Sequence, residues 1–197
     1  MHQELELKAV VPDPDALRHR LRAAGAVPRF MGRMTDLRYD RAAELASRDE
    51  VLRVRTFLHP DGRVEAILAW KGPTMRSPHG YKLREEIELP VSGATADSGR
   101  LLAALGYRPV HAVERDVEVY RLGDATARLE TYPRMDVLLE VEGEPAAIER
   151  AIAASGIPRS EFTAESLAEF VRRFEQRSGQ AAVLATSQPT PAAAGTG

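Results

Sequence analysis

The chain has no cysteine among its 197 residues. That absence excludes disulfides, thiolate metal sites and cysteine nucleophiles. No apolar run approaches the roughly 18 residues that a membrane span requires. The first ten residues, MHQELELKAV, are charged where a secretory signal would be apolar. Cytoplasmic residence with no membrane partner is the expectation. A surplus of positive charge is also missing, because 27 Lys and Arg face 29 Asp and Glu. Proteins that hold a nucleic acid duplex across a broad face carry such a surplus. A basic site here must therefore be local and balanced by carboxylates elsewhere. There is no GxxxxGKS or GxxxxGKT segment, so phosphate would not be cradled by a P-loop. The histidines at 2, 19, 59, 79 and 111 show no metal-ligand spacing.

What is present has the composition of a globular domain, 44% hydrophobic and 28% charged. Alternation of polar and apolar residues predicts strands over 3–11, 51–58, 63–71, 81–91, 110–122, 126–131 and 136–142, with a short one at 37–40. Asp13-Pro14 caps a first helix that Gly25 ends. Further helices are expected over 97–105, 145–154 and 163–177. In the last, Leu167, Phe170, Val171 and Phe174 share one face. Residues 42–49 read as a loop or helical turn. Residues 72–80, with two glycines and two prolines, read as a mobile loop. The expected fold class is α+β. Eight antiparallel strands suffice to close a barrel around a cavity, with helices flanking it. The domain is placed at residues 1–178. The Ala, Thr, Pro and Gly-rich tail 179–197 is expected to be disordered.

The charges fall on the strands in an unusual way. Successive strand side chains face opposite sides. Glu4, Glu6 and Lys8 therefore share one face and Leu5 and Leu7 the other. The same alternation recurs in Arg53 and Arg55, in Lys82, Arg84, Glu86 and Glu88, and in Glu140 and Glu142. A solvated sheet face normally mixes in Thr, Ser, Gln and Asn. These faces are almost purely Glu, Lys and Arg, with like charges two residues apart. Such repulsion calls for a compensating ligand or partner. If the sheet closes, the charges line its interior. Arginines offer forked contacts to phosphate oxygens, and clustered glutamates favour a hard divalent cation. Together they point to metal-assisted phosphoryl chemistry.

In this order the motifs resemble the CYTH, or triphosphate tunnel metalloenzyme, superfamily. Its ExExK signature is matched by Glu4-Leu5-Glu6-Leu7-Lys8 and its RxR strand by Arg53-Val54-Arg55. Lys71, then Arg84 to Glu88, Arg115 with Tyr120, and the pair Glu140 and Glu142 follow. The resemblance implies an eight-stranded tunnel and a triphosphate as small-molecule substrate. Lys8, Arg53, Arg55, Lys71, Arg84 and Arg115 would contact phosphates. Glu4, Glu6, Glu140 and Glu142 would hold Mg²⁺ or Mn²⁺, with Glu88 and Glu130 as further metal ligands. Glu4, Glu6 and Lys8 would form the catalytic set. Glu130 stands where the family often has an aspartate, and Glu114 lies near the place of a frequent lysine. The implied activity is a triphosphatase acting on tripolyphosphate, thiamine triphosphate or a nucleoside triphosphate. The alternatives are a class IV adenylate cyclase making cyclic AMP and pyrophosphate, or a non-catalytic polyphosphate binder. A monomer or a homodimer fits the resemblance.

Overall fold

Leu5, Leu7 and Ala9 turn one face of strand β1 (His2–Val10) towards apolar neighbours, while Glu6 and Lys8 are buried on the other. That alternation runs through the whole architecture. The computed structural model describes residues 2–91 and 95–189, and the side chains of all of these except 2–4, 95 and 96. Strands β2 (Val27–Asp40), β3 (Val51–Leu58), β4 (Val64–Lys71), β5 (Met75–Arg76), β6 (Lys82–Val91), β7 (Arg108–Leu122), β8 (Ala125–Thr131) and β9 (Leu138–Glu142) follow. They lie in the order β1-β9-β8-β7-β2-β3-β4-β6, and β6 pairs back onto β1. This closes an eight-stranded antiparallel barrel, as the sequence predicts, with β5 as an extra strand on β6.

The apolar core lies outside the barrel. Helices α1 (Pro14–Ala23) and α3 (Pro145–Ser155) cover the outer faces of β1, β9 and β8. Leu17 and Leu21 of α1 meet Ile148 and Ile152 of α3 there, with Leu7, Leu129 and Val141 beneath. The Asp13 carboxylate accepts from the Ala16 amide at 2.9 Å, and Pro14 follows it, so α1 starts where the sequence places it. Helix α2 (Thr95–Ala104) sets Leu102 against Tyr39 and Val54 on the opposite wall. Tyr120, paired in the sequence with Arg115, is a core residue whose hydroxyl donates to Glu118 at 2.7 Å. Helix α4 (Leu167–Ser178) lies over one end of the barrel, with Phe170 packed against Val113, Tyr132 and Leu138.

Three sequence expectations are revised. The strand at 37–40 is the end of the 14-residue β2, which pairs with β7 along nearly all of its length and with β3 from Arg33 to Tyr39. Residues 72–80 contain β5 and so are not a plain loop. The tail does not lose its structure at Gly179. Val183 exchanges backbone hydrogen bonds with Arg134, and Leu184 accepts from the Glu114 amide. The Gln188 side chain pairs with both backbone groups of Ala112. The reason is an open edge. β8 pairs with β7 only from Asp116 onward, so the earlier half of β7 presents unpaired amides and carbonyls. Residues 183–188 satisfy some of them through their own backbone and one amide side chain, which a composition poor in large apolar residues does not prevent. Residues 190–197 of that tail lie outside the described part.

Candidate functional site

The barrel interior holds a cavity of about 420 Å³, within the range of small-molecule sites. Its lining carries nine cationic side chains and five carboxylates. A second chamber, about 640 Å³, opens at the other end beside Phe57, Glu88, Asp124 and Glu144. Arg55 and Arg128 line both and so stand between them. A buried surplus of cations is electrostatically suited to a polyanion, because burial strengthens each attraction.

Asp36 organises the arginines. Its carboxylate takes a bidentate pair from Arg55 at 2.7 and 3.0 Å and one hydrogen bond from Arg115 at 3.0 Å. Arg53 lies 3.6 Å away and pairs with Glu86 at 3.0 Å. Burial pushes the Asp36 carboxyl up, but Arg55, Arg115 and Arg53 outweigh it and hold the group well below the usual range. Arg115 also donates to Glu130 at 3.0 Å, and Tyr132 donates to the other Glu130 oxygen at 2.6 Å. Burial raises the Glu130 carboxyl, yet Arg115 and Arg128 bring it down to about 2. Burial lowers Arg53 to about 10, with neighbouring Arg55 adding to the effect. These anions use only part of each guanidinium. Nη1 of Arg115 and Nε of Arg53 are buried without a hydrogen bond. Leaving such donors unmet costs about 1–3 kcal/mol each, a cost that anionic oxygens in the cavity would remove.

The remaining cations ring this centre. Lys71 pairs with Glu86 at 3.0 Å. Arg84 donates to the carbonyls of Gly72 and Asp49. Lys82 reaches Glu6, and Arg128 reaches Glu140 and Glu142.

Glu6, Glu140 and Glu142 converge, with one oxygen of each within 4.8 Å of the others. β1 and β9 put them there, since Glu6 faces Glu142 and Lys8 faces Glu140 in the register. Three carboxylates form a hard-oxygen donor set that fits Mg²⁺ or Mn²⁺. Lys8 bonds both Glu6, at 2.8 Å, and Glu140. With Lys82 on Glu6 and Arg128 on Glu140 and Glu142, it offsets the cluster's negative charge and marks the boundary between the acidic and basic halves of the site. Burial raises the Glu6 carboxyl, but Lys8, Lys82 and Lys71 hold it well below its ordinary range. It is therefore an anion at neutral pH.

The structure does not bring every expected ligand to this cluster. Glu88 sits in the second chamber, its side chain 42% exposed and 3.8 Å from Arg53. Glu130 is enclosed by Arg115, Arg128 and Tyr132 and anchors arginines. The Glu4 side chain lies outside the described residues, although its backbone faces Arg84. Glu114 faces away from the cavity and accepts from Thr186 at 2.8 Å. Asp36, Arg38 and Arg128 escaped the sequence reading. Their signal was the same alternation, in Asp36-Leu37-Arg38-Tyr39-Asp40 and in Arg128-Leu129-Glu130. The first was hidden because β2 was recognised only from Leu37.

A closed antiparallel barrel with its apolar core outside and a buried lattice of arginines, lysines and carboxylates inside is the class of protein defined here. The chain belongs to the CYTH domain family, whose model matches residues 2–156. Members of that family are triphosphatases or adenylate cyclases, and its enzymes are metal-dependent. No curated protein matches the chain. Among solved structures, the PH1819 protein from Pyrococcus horikoshii OT3 is similar, at 24% identity and a TM-score of 0.71, covering 86% of this chain and 98% of that one. A putative adenylate cyclase from Vibrio parahaemolyticus gives 16% identity and a TM-score of 0.69, covering 86% and 97%. A putative adenylyl cyclase from Hippeastrum, described as having a dominant triphosphatase activity, gives 19% and 0.62, covering 93% and 99%. At these identities the likeness speaks for the fold. Among the described residues no helix is long and apolar enough to cross a membrane.

Proposed function

We propose that this protein is a divalent-metal-dependent triphosphatase that holds a linear triphosphate inside the barrel and hydrolyses a phosphoanhydride bond. One observation carries the reading: the Glu6, Glu140 and Glu142 cluster borders a buried cation surplus whose donors are not all used. Arg53, Arg55 and Arg115, held by Asp36, bind and orient phosphate oxygens. Lys71 and Arg84 extend that grip along the wall. Glu6, Glu140 and Glu142 hold Mg²⁺ or Mn²⁺, with Glu4 as a further candidate from its place in β1. When bound, the ion withdraws charge from the phosphoryl group and makes water more acidic. In the hydrolysis, a water oxygen bonds to a terminal phosphorus as the bridging P–O bond breaks. The arginines stabilise the charge that builds on the leaving phosphate. Lys8, already bonded to Glu6 and Glu140, stands where it donates to an oxygen at that junction.

The lining favours hydrolysis over cyclisation. A cyclase must also seat adenine and ribose. Beside Arg38, His111 and Ser166, the lining carries aliphatic side chains at Val51, Val113, Leu167, Val171 and Leu184 and no amide side chain. The one aromatic hydroxyl, on Tyr132, is committed to Glu130. The test is product analysis by phosphorus NMR, with Mg²⁺ or Mn²⁺ and tripolyphosphate, thiamine triphosphate or ATP supplied separately. Orthophosphate release is expected. Cyclic AMP with pyrophosphate from ATP would move the protein to the cyclases. Tight binding without turnover would leave a polyphosphate binder.

A further inference from the structure

We infer that Arg38 and His111 form an additional phosphate subsite under helix α4, which selects linear inorganic polyphosphates by chain length. The inference rests on the tunnel being a polyphosphate site. Arg38 projects from β2 into the cavity, with Arg53 directly across on β3 and His111 directly across on β7. Neighbours placed in this way have Cβ atoms about 4.5–5.5 Å apart. Every other cation lining the cavity has a carboxylate or carbonyl partner. Among the cations that line the cavity, and counting the described residues, Arg38 alone makes no side-chain hydrogen bond or ion pair, and its buried Nε has no acceptor.

An unpaired guanidinium inside a barrel is costly. Asp36 attracts Arg38 through space but no carboxylate oxygen reaches it, while Arg115 and Arg84 repel it. Burial lowers its affinity for its proton, and burial together with Arg38 lowers that of His111. Arg38 is therefore a cation with an unmet donor beside a neutral imidazole, two residues beyond Asp36 on the same face of β2. Asp36 fixes Arg55 and Arg115 at the centre of the cavity, whereas no side chain among the described residues satisfies Arg38. A phosphate group further along the same linear chain would. Leu167, Val171 and Leu184 add apolar surface to the same cavity lining.

The test uses Arg38→Gln and Arg38→Lys in the full chain, with binding of pyrophosphate, tripolyphosphate and tetrapolyphosphate measured by calorimetry without metal. In Arg38→Gln, affinity for tripolyphosphate and tetrapolyphosphate should fall roughly tenfold to a hundredfold, the worth of one charge-assisted contact. Pyrophosphate should lose at least tenfold less, and Arg38→Lys should recover part of the loss. The thermal midpoint of Arg38→Gln should stay level or rise, because an unpaired charge is removed. In the wild type, tripolyphosphate should raise the His111 pKa followed by proton NMR, and this rise should shrink in Arg38→Gln. Equal losses for all chain lengths would overturn the subsite, since general attraction would explain them. A marked drop in thermal midpoint would also overturn it, because Arg38 would then serve the fold. An unmoved His111 would do the same. If the wild type cleaves tripolyphosphate while these signatures fail, only the subsite falls. If it neither binds nor cleaves polyphosphate, the proposed function falls with it.

Discussion

Asp36 is one carboxylate shared by three arginines, and its replacement is the sharpest test at the scale of a residue. Arg55 and Arg115 bond it directly and Arg53 lies 3.6 Å away. Asp36→Ala leaves three buried cations without their common anion, which costs about 3–5 kcal/mol. Urea unfolding should show that loss, and tripolyphosphate affinity should fall with it as the arginines lose their orientation. A variant as stable as the wild type would mean that Asp36 does not hold them. Glu130 makes a prediction in pH. Its folded value of about 2 lies below the ordinary 4.5, so its ionised form stabilises the folded state. That contribution is complete above about pH 5 and is lost as the pH falls towards 2. The shift is worth on the order of 3 kcal/mol. The stability gap between wild type and Glu130→Gln should therefore narrow by roughly half as the pH is lowered from about 6 to about 3, and close only towards pH 2. A gap that stays constant would show that the arginines do not depress this carboxyl.

Strand β2 shows at the scale of an element why part of the site was not legible. Its first half, Val27 to Thr35, mixes proline, glycine, arginine and methionine without a clean alternation, and register shifts interrupt its pairing with β7. Tertiary pairing makes it a strand, with β7 alone up to Gly32 and with both β7 and β3 from Arg33. Asp36 went unseen for this reason, and Arg38, inside the short strand recognised at 37–40, had no like charge two residues away to mark its face, whereas Glu6, Arg53, Arg84 and Glu140 lay on strands whose alternation was intact. The Gly179 tail misled in the opposite direction. Its composition signals disorder, but the unpaired edge of β7 that it covers exists only once the barrel has formed. Gly32 tests the β2–β3 seam. A Cβ at this position would lie 2.3 Å from the Leu58 carbonyl oxygen, a backbone atom that cannot swing away. Gly32→Ala should lower stability by about 2 kcal/mol or more, read as a drop in the thermal midpoint. A neutral result would mean that the two strands separate more easily than their pairing implies.

The whole molecule inverts the usual arrangement, with apolar packing outside the barrel and charge within. That inversion was legible because two-residue periodicity put like charges on one face of four strands, which neither a solvated sheet nor an oily core explains. Its balance was not legible, since it depends on which strands become neighbours in space. Closure pairs Lys8 with Glu140, Arg55 with Asp36 and Arg115 with Glu130 across separate strands. The interior is therefore self-neutralised only in part, with nine cations to five carboxylates around the central cavity. A ligand that binds only the folded barrel stabilises it by mass action, by about 2.7 kcal/mol at a hundredfold excess over its Kd. Tripolyphosphate should thus raise the thermal midpoint even without metal, because it answers the cation surplus. Mg²⁺ or Mn²⁺ alone should raise it through the carboxylate cluster, and Glu142→Gln should reduce that second shift while sparing most of the first. The two shifts separate the halves of the site: a polyanion response without a metal response would leave the arginine lattice as a binder and remove the basis for hydrolysis.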